Sequence, residues 1–104
     1  MNRIQLELWL WLGPELGGEF EALSDMRSLL DTRVMPGTTI IELFHRVADD
    51  YPAFGEKVFD TRMNELRWSV VMIYNGLAVE PQDGYDHVLG DGDRIKIVPV
   101  HAGG

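Results

Sequence analysis

The 104-residue sequence contains no cysteine. That excludes disulfide staples, thiol nucleophiles and thiolate metal sites together. Lysine is nearly as scarce, with only Lys57 and Lys96, which leaves little material for self-linked chains through lysine amines. Basic residues are outnumbered as a class, nine against 17 acidic, for a formal net charge of −8. Phosphate binding depends on a positive field, so nucleic acid is a poor partner and a basic docking groove on another protein suits the chain better. No apolar run approaches the roughly 20 residues that span a bilayer. The start, Met1-Asn2-Arg3-Ile4-Gln5-Leu6-Glu7, interrupts its apolar residues with polar ones and does not read as a secretory leader. The expected setting is cytoplasmic, away from membranes. An apolar share of 45% and a one-domain length favour a globular fold with a modest core.

What is present has clear periodicity. Ile4, Leu6, Leu8, Leu10 and Leu12 alternate with Gln5, Glu7, Trp9 and Trp11, which predicts a strand with a leucine-rich inner face, ended by Gly13-Pro14. Residues 13–26 read as a long connection with room for a short helix, and Ser28 to Met35 as a second strand before a Pro36-Gly37 turn. Thr39-Ile40-Ile41-Glu42 has capping-box spacing, and Ile40, Leu43, Phe44, Val47 and Tyr51 build an apolar helical stripe that Pro52 should end. Residues 53–67 show no clear pattern. Trp68 to Tyr74 reads as a strand, Asn75-Gly76 as a tight hairpin turn, and Leu77-Ala78-Val79 as its partner strand. A polar stretch ending in Asp91-Gly92-Asp93 leads to a last strand, Arg94 to Val100. One main helix across one face of a mixed sheet is an α+β layer solution.

Several motifs carry no chemistry. His45, His87 and His101 match no zinc spacing, and without cysteine a metal site would need acidic ligands as well. Asp83, Asp86, Asp91 and Asp93 lack the alternating spacing, central glycine and closing glutamate of a calcium loop. Gly13-Pro14-Glu15-Leu16-Gly17-Gly18 lacks the lysine and hydroxyl of a phosphate loop, and Asp49-Asp50 are helix neighbours whose carboxylates diverge. No metal site is expected.

The ending, His101-Ala102-Gly103-Gly104, is different. Glycine is about 7% of average usage, so a terminal pair arises by chance in roughly 0.5% of chains. Two glycines add nothing to a helix or strand, but they make a slender arm that can be threaded into another protein's active site. Gly104 supplies an unhindered carbonyl, Gly103 and Ala102 keep the neck narrow, and Pro99 stiffens the exit. Five residues from Val100 to Gly104 reach at most about 17 Å when extended.

The order strand–strand–helix–strand–strand–strand with this ending is similar to the ubiquitin-like β-grasp proteins. Within them, Leu89-Gly90-Asp91-Gly92-Asp93-Arg94-Ile95-Lys96-Ile97-Val98-Pro99-Val100-His101-Ala102-Gly103-Gly104 resembles the ending of the MoaD/ThiS sulfur carriers, and Ile73-Tyr74-Asn75-Gly76-Leu77-Ala78-Val79 resembles their preceding hairpin. The chain is longer than the compact members near residues 13–26 and 53–67. His101 stands where a small apolar residue is more usual, and Pro99 stands alone where the molybdopterin branch often has two prolines.

The resemblance implies a β-grasp domain over residues 1–100 and a flexible tail over 101–104. It also implies a non-catalytic carrier whose Gly104 is adenylated by an ATP-using, E1-like partner and converted to a thiocarboxylate with sulfur from a donor protein. No cofactor is then bound by the carrier itself. The leading destination is molybdopterin, with the chain as small subunit of the synthase and its tail inserted into the large subunit. A thiazole or other sulfur-transfer pathway shares the same tail. A protein modifier conjugated through Gly104, or an interaction module with incidental glycines, are readings of other classes.

In a β-grasp sheet the first and last strands are neighbours. Strand alternation then sets Trp9, Trp11, Lys96 and Val98 on the face away from the helix, where they form one docking patch near the tail. Alternatively, the 13–26 segment folds over the two indoles and buries them.

Overall fold

The computed structural model describes residues 1–80 and 84–100. In chain order the elements are β1 (Asn2–Trp9), α1 (Gly13–Leu16), β2 (Glu21–Ala22), β3 (Arg27–Val34), α2 (Ile40–Asp50), α3 (Pro52–Lys57), β4 (Phe59–Asp60), β5 (Glu65–Leu66), β6 (Val70–Tyr74), β7 (Leu77–Val79) and β8 (Arg94–Pro99). Six strands form one mixed sheet in the order β2-β3-β1-β8-β6-β7, while β4 and β5 make a separate small hairpin. At its centre β1 and β8 run parallel, with Leu6 opposite Ile95 and Leu8 opposite Ile97. All other pairings are antiparallel.

Strict alternation puts Ile4, Leu6 and Leu8 of β1 and Ile95 and Ile97 of β8 into the core. α2 covers that face with Ile40, Leu43, Phe44 and Val47, all buried. Its start is closed by the full capping box: Thr39 Oγ1 accepts from the Glu42 amide, and Glu42 Oε1 accepts from the Thr39 amide. The aromatic centre of the core is Phe44, whose ring lies 5.7 Å from Phe54 and 5.5 Å from Phe59. At the hairpin, Asn75 and Gly76 take φ of 49° and 87°, the left-handed pair that a two-residue turn between right-twisted strands requires.

The structure departs from the sequence expectations at several places. β1 stops at Trp9, because Trp11 turns into the left-handed region at φ 57° and its amide donates to Met26 O at 3.1 Å. The alternation through Leu12 is therefore not one strand, although Leu12 still reaches the core. Pro52 ends α2 but also opens α3 at its first turn, where proline's missing N–H costs nothing. Tyr51 lies between the two helices as a cap. Trp68 stands outside the strand, which begins at Val70. The second strand runs Arg27–Val34 and the last Arg94–Pro99, each offset slightly from its expected bounds.

Candidate functional site

The exit of the tail is built by β8, held on one side by β1 and on the other by β6. Pro99 lies opposite Val70, and the Val100 amide donates to Ser69 O at 2.8 Å. Val100 is thus the last tethered backbone among the described residues. The expected tail residues His101, Ala102, Gly103 and Gly104 lie outside them.

At its other end β8 is fixed by the Asp91-Gly92-Asp93 turn. Asp91 Oδ1 accepts the Arg3 amide at 2.7 Å, and the Gly92 amide, at φ 86°, donates to Arg3 O at 2.8 Å. Asp93 collects the Tyr74 hydroxyl, the Asn75 Nδ2 at 3.1 Å and the Gly90 amide at 2.7 Å. Burial pushes the Asp93 carboxyl up, but the Tyr74, Gly90 and Asn75 hydrogen bonds outweigh it and hold it below its ordinary value. Burial and the Asp93 carboxylate together push the Tyr74 phenol well up. The turn residues therefore bind the β6–β7 hairpin, β1 and the start of β8 into one unit.

The sheet face away from α2 runs along one cross-strand row: Glu21, Leu29, Glu7, Lys96, Ile73 and Ala78. Trp9 stands beside that row and is half-buried. The Arg27 guanidinium lies 4.8 Å from its ring centre and Lys96 Nζ lies 5.0 Å away, while its indole N–H donates to Glu7. Arg27 Nη2 also reaches Glu7 Oε1 at 2.9 Å. Burial raises the Glu7 carboxyl, but the Trp9 and Arg27 hydrogen bonds and the charges of Arg27 and Lys96 bring it below its ordinary value. Val98, half-buried, is paired across the sheet with Val71.

Of the four residues expected to dock a partner, the structure brings Trp9 and Lys96 together and sets Val98 on the same face. Trp11 lies past the end of β1 and is 66% exposed. The 13–26 segment does not bury the tryptophans. Its Leu16 enters the core, and Phe20 packs edge-on against Tyr51 at 4.9 Å in the helix layer. Sequence reading missed Trp68, which is 88% exposed and adjoins Ser69 at the root of the tail. Aromatic residues favour strands, and that preference hid it. It also missed Arg27, which only the β1–β3 register places opposite Trp9. Among the described residues no three histidine or acidic side chains converge to hold a metal, and no helix is long and apolar enough to cross a membrane.

A mixed sheet crossed by one main helix, with the last strand delivered from the sheet's centre, defines a ubiquitin-like β-grasp protein. The sequence narrows this class: the chain belongs to the ThiS family, whose sequence model matches residues 22–104. The family comprises small ubiquitin-like carriers that are generally non-catalytic, so the resemblance read from residues 73–79 and 89–104 holds. No curated protein matches the sequence significantly. Among solved structures the chain is similar to Urm1 from Trypanosoma brucei, at 19% identity and TM-score 0.70 over 99% of this chain and 96% of that one. It is also similar to the small archaeal modifier protein 1 of Haloferax volcanii, at 17% identity and TM-score 0.67 over 95% and 98%. A Pyrococcus furiosus protein assigned as molybdopterin converting factor subunit 1 follows at 16% identity and TM-score 0.64 over 95% and 98%. At such identities the likeness to these structures is one of fold.

Proposed function

We propose that this chain is a sulfur carrier whose Gly104 carboxylate is the loading point. An E1-like partner joins that carboxylate to the α-phosphorus of ATP, and pyrophosphate leaves. A persulfide on the donor protein then attacks the acyl carbon and AMP leaves. A second thiol on a partner protein cleaves the resulting acyl disulfide, which releases the thiocarboxylate and leaves a disulfide on the partner side. The observation that carries this reading is the family match extending through Gly104, beyond a Val100 amide that is the last tether among the described residues. Four residues past that tether give at most about 14 Å of reach, enough to enter a partner's channel while the body stays outside. In this reading residues 1–100 form the body and 101–104 the arm, and Trp9, Lys96 and Val98 dock the partner beside it. The carrier needs no bound cofactor, because ATP is consumed by the activating enzyme.

The destination we favour is molybdopterin, with the tail entering the large synthase subunit. The fold likeness to the Pyrococcus protein supports it. A modifier role is the second reading, favoured by the likeness to a protein named as an archaeal modifier. Immunoblots separate the two: covalent ladders that vanish on deletion of Gly103-Gly104 would establish conjugation.

The direct test is adenylation. Purified activating enzyme should adenylate the native chain and leave Gly104→Trp untouched, although that variant melts at the native temperature. Normal adenylation of Gly104→Trp would sink the carrier reading. Intact mass of protein from its native cells should show an oxygen-to-sulfur shift confined to the C-terminal peptide.

A further inference from the structure

Charge is spread over this molecule against its net sign. The face turned away from α2 carries Arg3 on β1, Arg27 and Arg33 on β3, and Arg94 and Lys96 on β8. These are five of the nine basic residues. Among the paired strand residues described, only three acidic ones share that face, namely Glu7, Asp31 and Glu21. The sequence outside these eight residues holds four basic and fourteen acidic residues. Two of the five cations are paired, Arg3 with Asp31 and Arg27 with Glu7 at 2.9 Å. Arg33, Arg94 and Lys96 make no ion pair among the described residues. Arg94 and Lys96 border two adjoining shallow depressions, one towards Gln5 and Leu29 and the other towards Asn75 and Gly92.

We infer that this face docks onto an acidic protein surface beside the channel that receives the tail. The inference rests on the carrier reading and names the chemistry of its partner. β8 bears Arg94 and Lys96, and the tail follows it within five residues in sequence, so a protein that takes the tail meets those cations in the same encounter. A body this acidic is repelled by an acidic surface in most orientations. It is attracted only when the cationic face leads, so the field both selects and orients the approach. This differs from the basic groove that net charge alone suggests, because net charge averages over faces that never touch the partner. The acidic majority elsewhere also disfavours a polyanionic nucleic acid, whose field extends well past one sheet face.

The test uses the full chain and the purified adenylating enzyme of the same organism, reading pyrophosphate exchange. Raising ionic strength from about 0.01 to 1 M shortens the screening length from about 30 to 3 Å, and the native chain's KM should climb at least tenfold or so. Arg94→Glu should raise KM about tenfold at low salt with kcat within about twofold. Lys57→Glu makes the same charge change on α3, in the helix layer, and should leave KM within about twofold. A native KM indifferent to salt, or an Arg94→Glu effect no larger than that of Lys57→Glu, overturns the inference while leaving the carrier reading intact. Binding of a single-stranded RNA oligonucleotide that is lost in Arg94→Glu also overturns it. If the native chain is never adenylated, the carrier reading fails and this inference falls with it.

Discussion

Trp9 is held by three neighbours: the Arg27 guanidinium, the Lys96 ammonium group and the Glu7 carboxylate that accepts its N–H. Each cation contact at a partly exposed site contributes about 0.5–1 kcal/mol. Trp68, with 88% of its surface exposed, has no comparable support. Replacing each by alanine should therefore separate them. Urea unfolding of Trp9→Ala should show a loss of about 1–3 kcal/mol, and of Trp68→Ala a change within about 0.5 kcal/mol. Equal losses would mean that the framework around Trp9 does not form. The result also bears on docking experiments, because Trp9→Ala disturbs Glu7, Arg27 and Lys96 at once. Trp11→Ala and Trp68→Ala are cleaner probes of a partner. Strand alternation already set Lys96 beside Trp9, but the Arg27 contact was not visible in sequence, since Arg27 is distant along the chain and only the β1–β3 register sets it beside the indole.

Elements governed by local chemistry were the legible ones. The Thr39 and Glu42 capping box and the Asn75-Gly76 turn appear as their side chains dictate. Thr39→Ala should cost about 1 kcal/mol by chemical denaturation, because the Glu42 amide loses its acceptor at the helix start. An unchanged midpoint would show that tertiary packing alone fixes α2. The unclear segments are those settled by distant partners. α1 follows a left-handed Trp11 whose amide is satisfied by Met26, and β2 exists only as an edge on β3. α3 is short and polar on one side, with Phe54 driven into the core against Phe44. A propensity reading sees Pro52 as a stop, whereas packing uses the same residue to start the next turn. The tail residues 101–104 lie outside the described residues, and their reading rests on the family match that extends through Gly104.

Across the whole molecule, the Asp93 cluster makes stability sensitive to pH in both directions. Asp93 titrates below its ordinary value of 3.8 in the folded protein. Its contribution is therefore complete above that value and is lost as pH falls through the folded one. Tyr74 titrates above its ordinary 10.0, so its contribution is complete below that pH and is lost as pH rises through the folded value. Melting temperature against pH should fall at both ends. Asp93→Asn should flatten the acid limb and Tyr74→Phe the alkaline one, each lowering the plateau between. A native-like acid limb in Asp93→Asn would assign that limb to Glu7 and Asp31, whose carboxyls are also depressed.

The placement of β8 has a mechanical consequence. A pull applied at Val100 along the strand meets β8 bonded on both flanks, parallel to β1 and antiparallel to β6. Its ladder bonds lie across the direction of pull, so both ladders are loaded in shear and must yield together instead of peeling one bond at a time. The Val100 tether at Ser69 takes the first load. Under the proposed carrier role, an arm gripped by a partner would be drawn out again while the body stays folded.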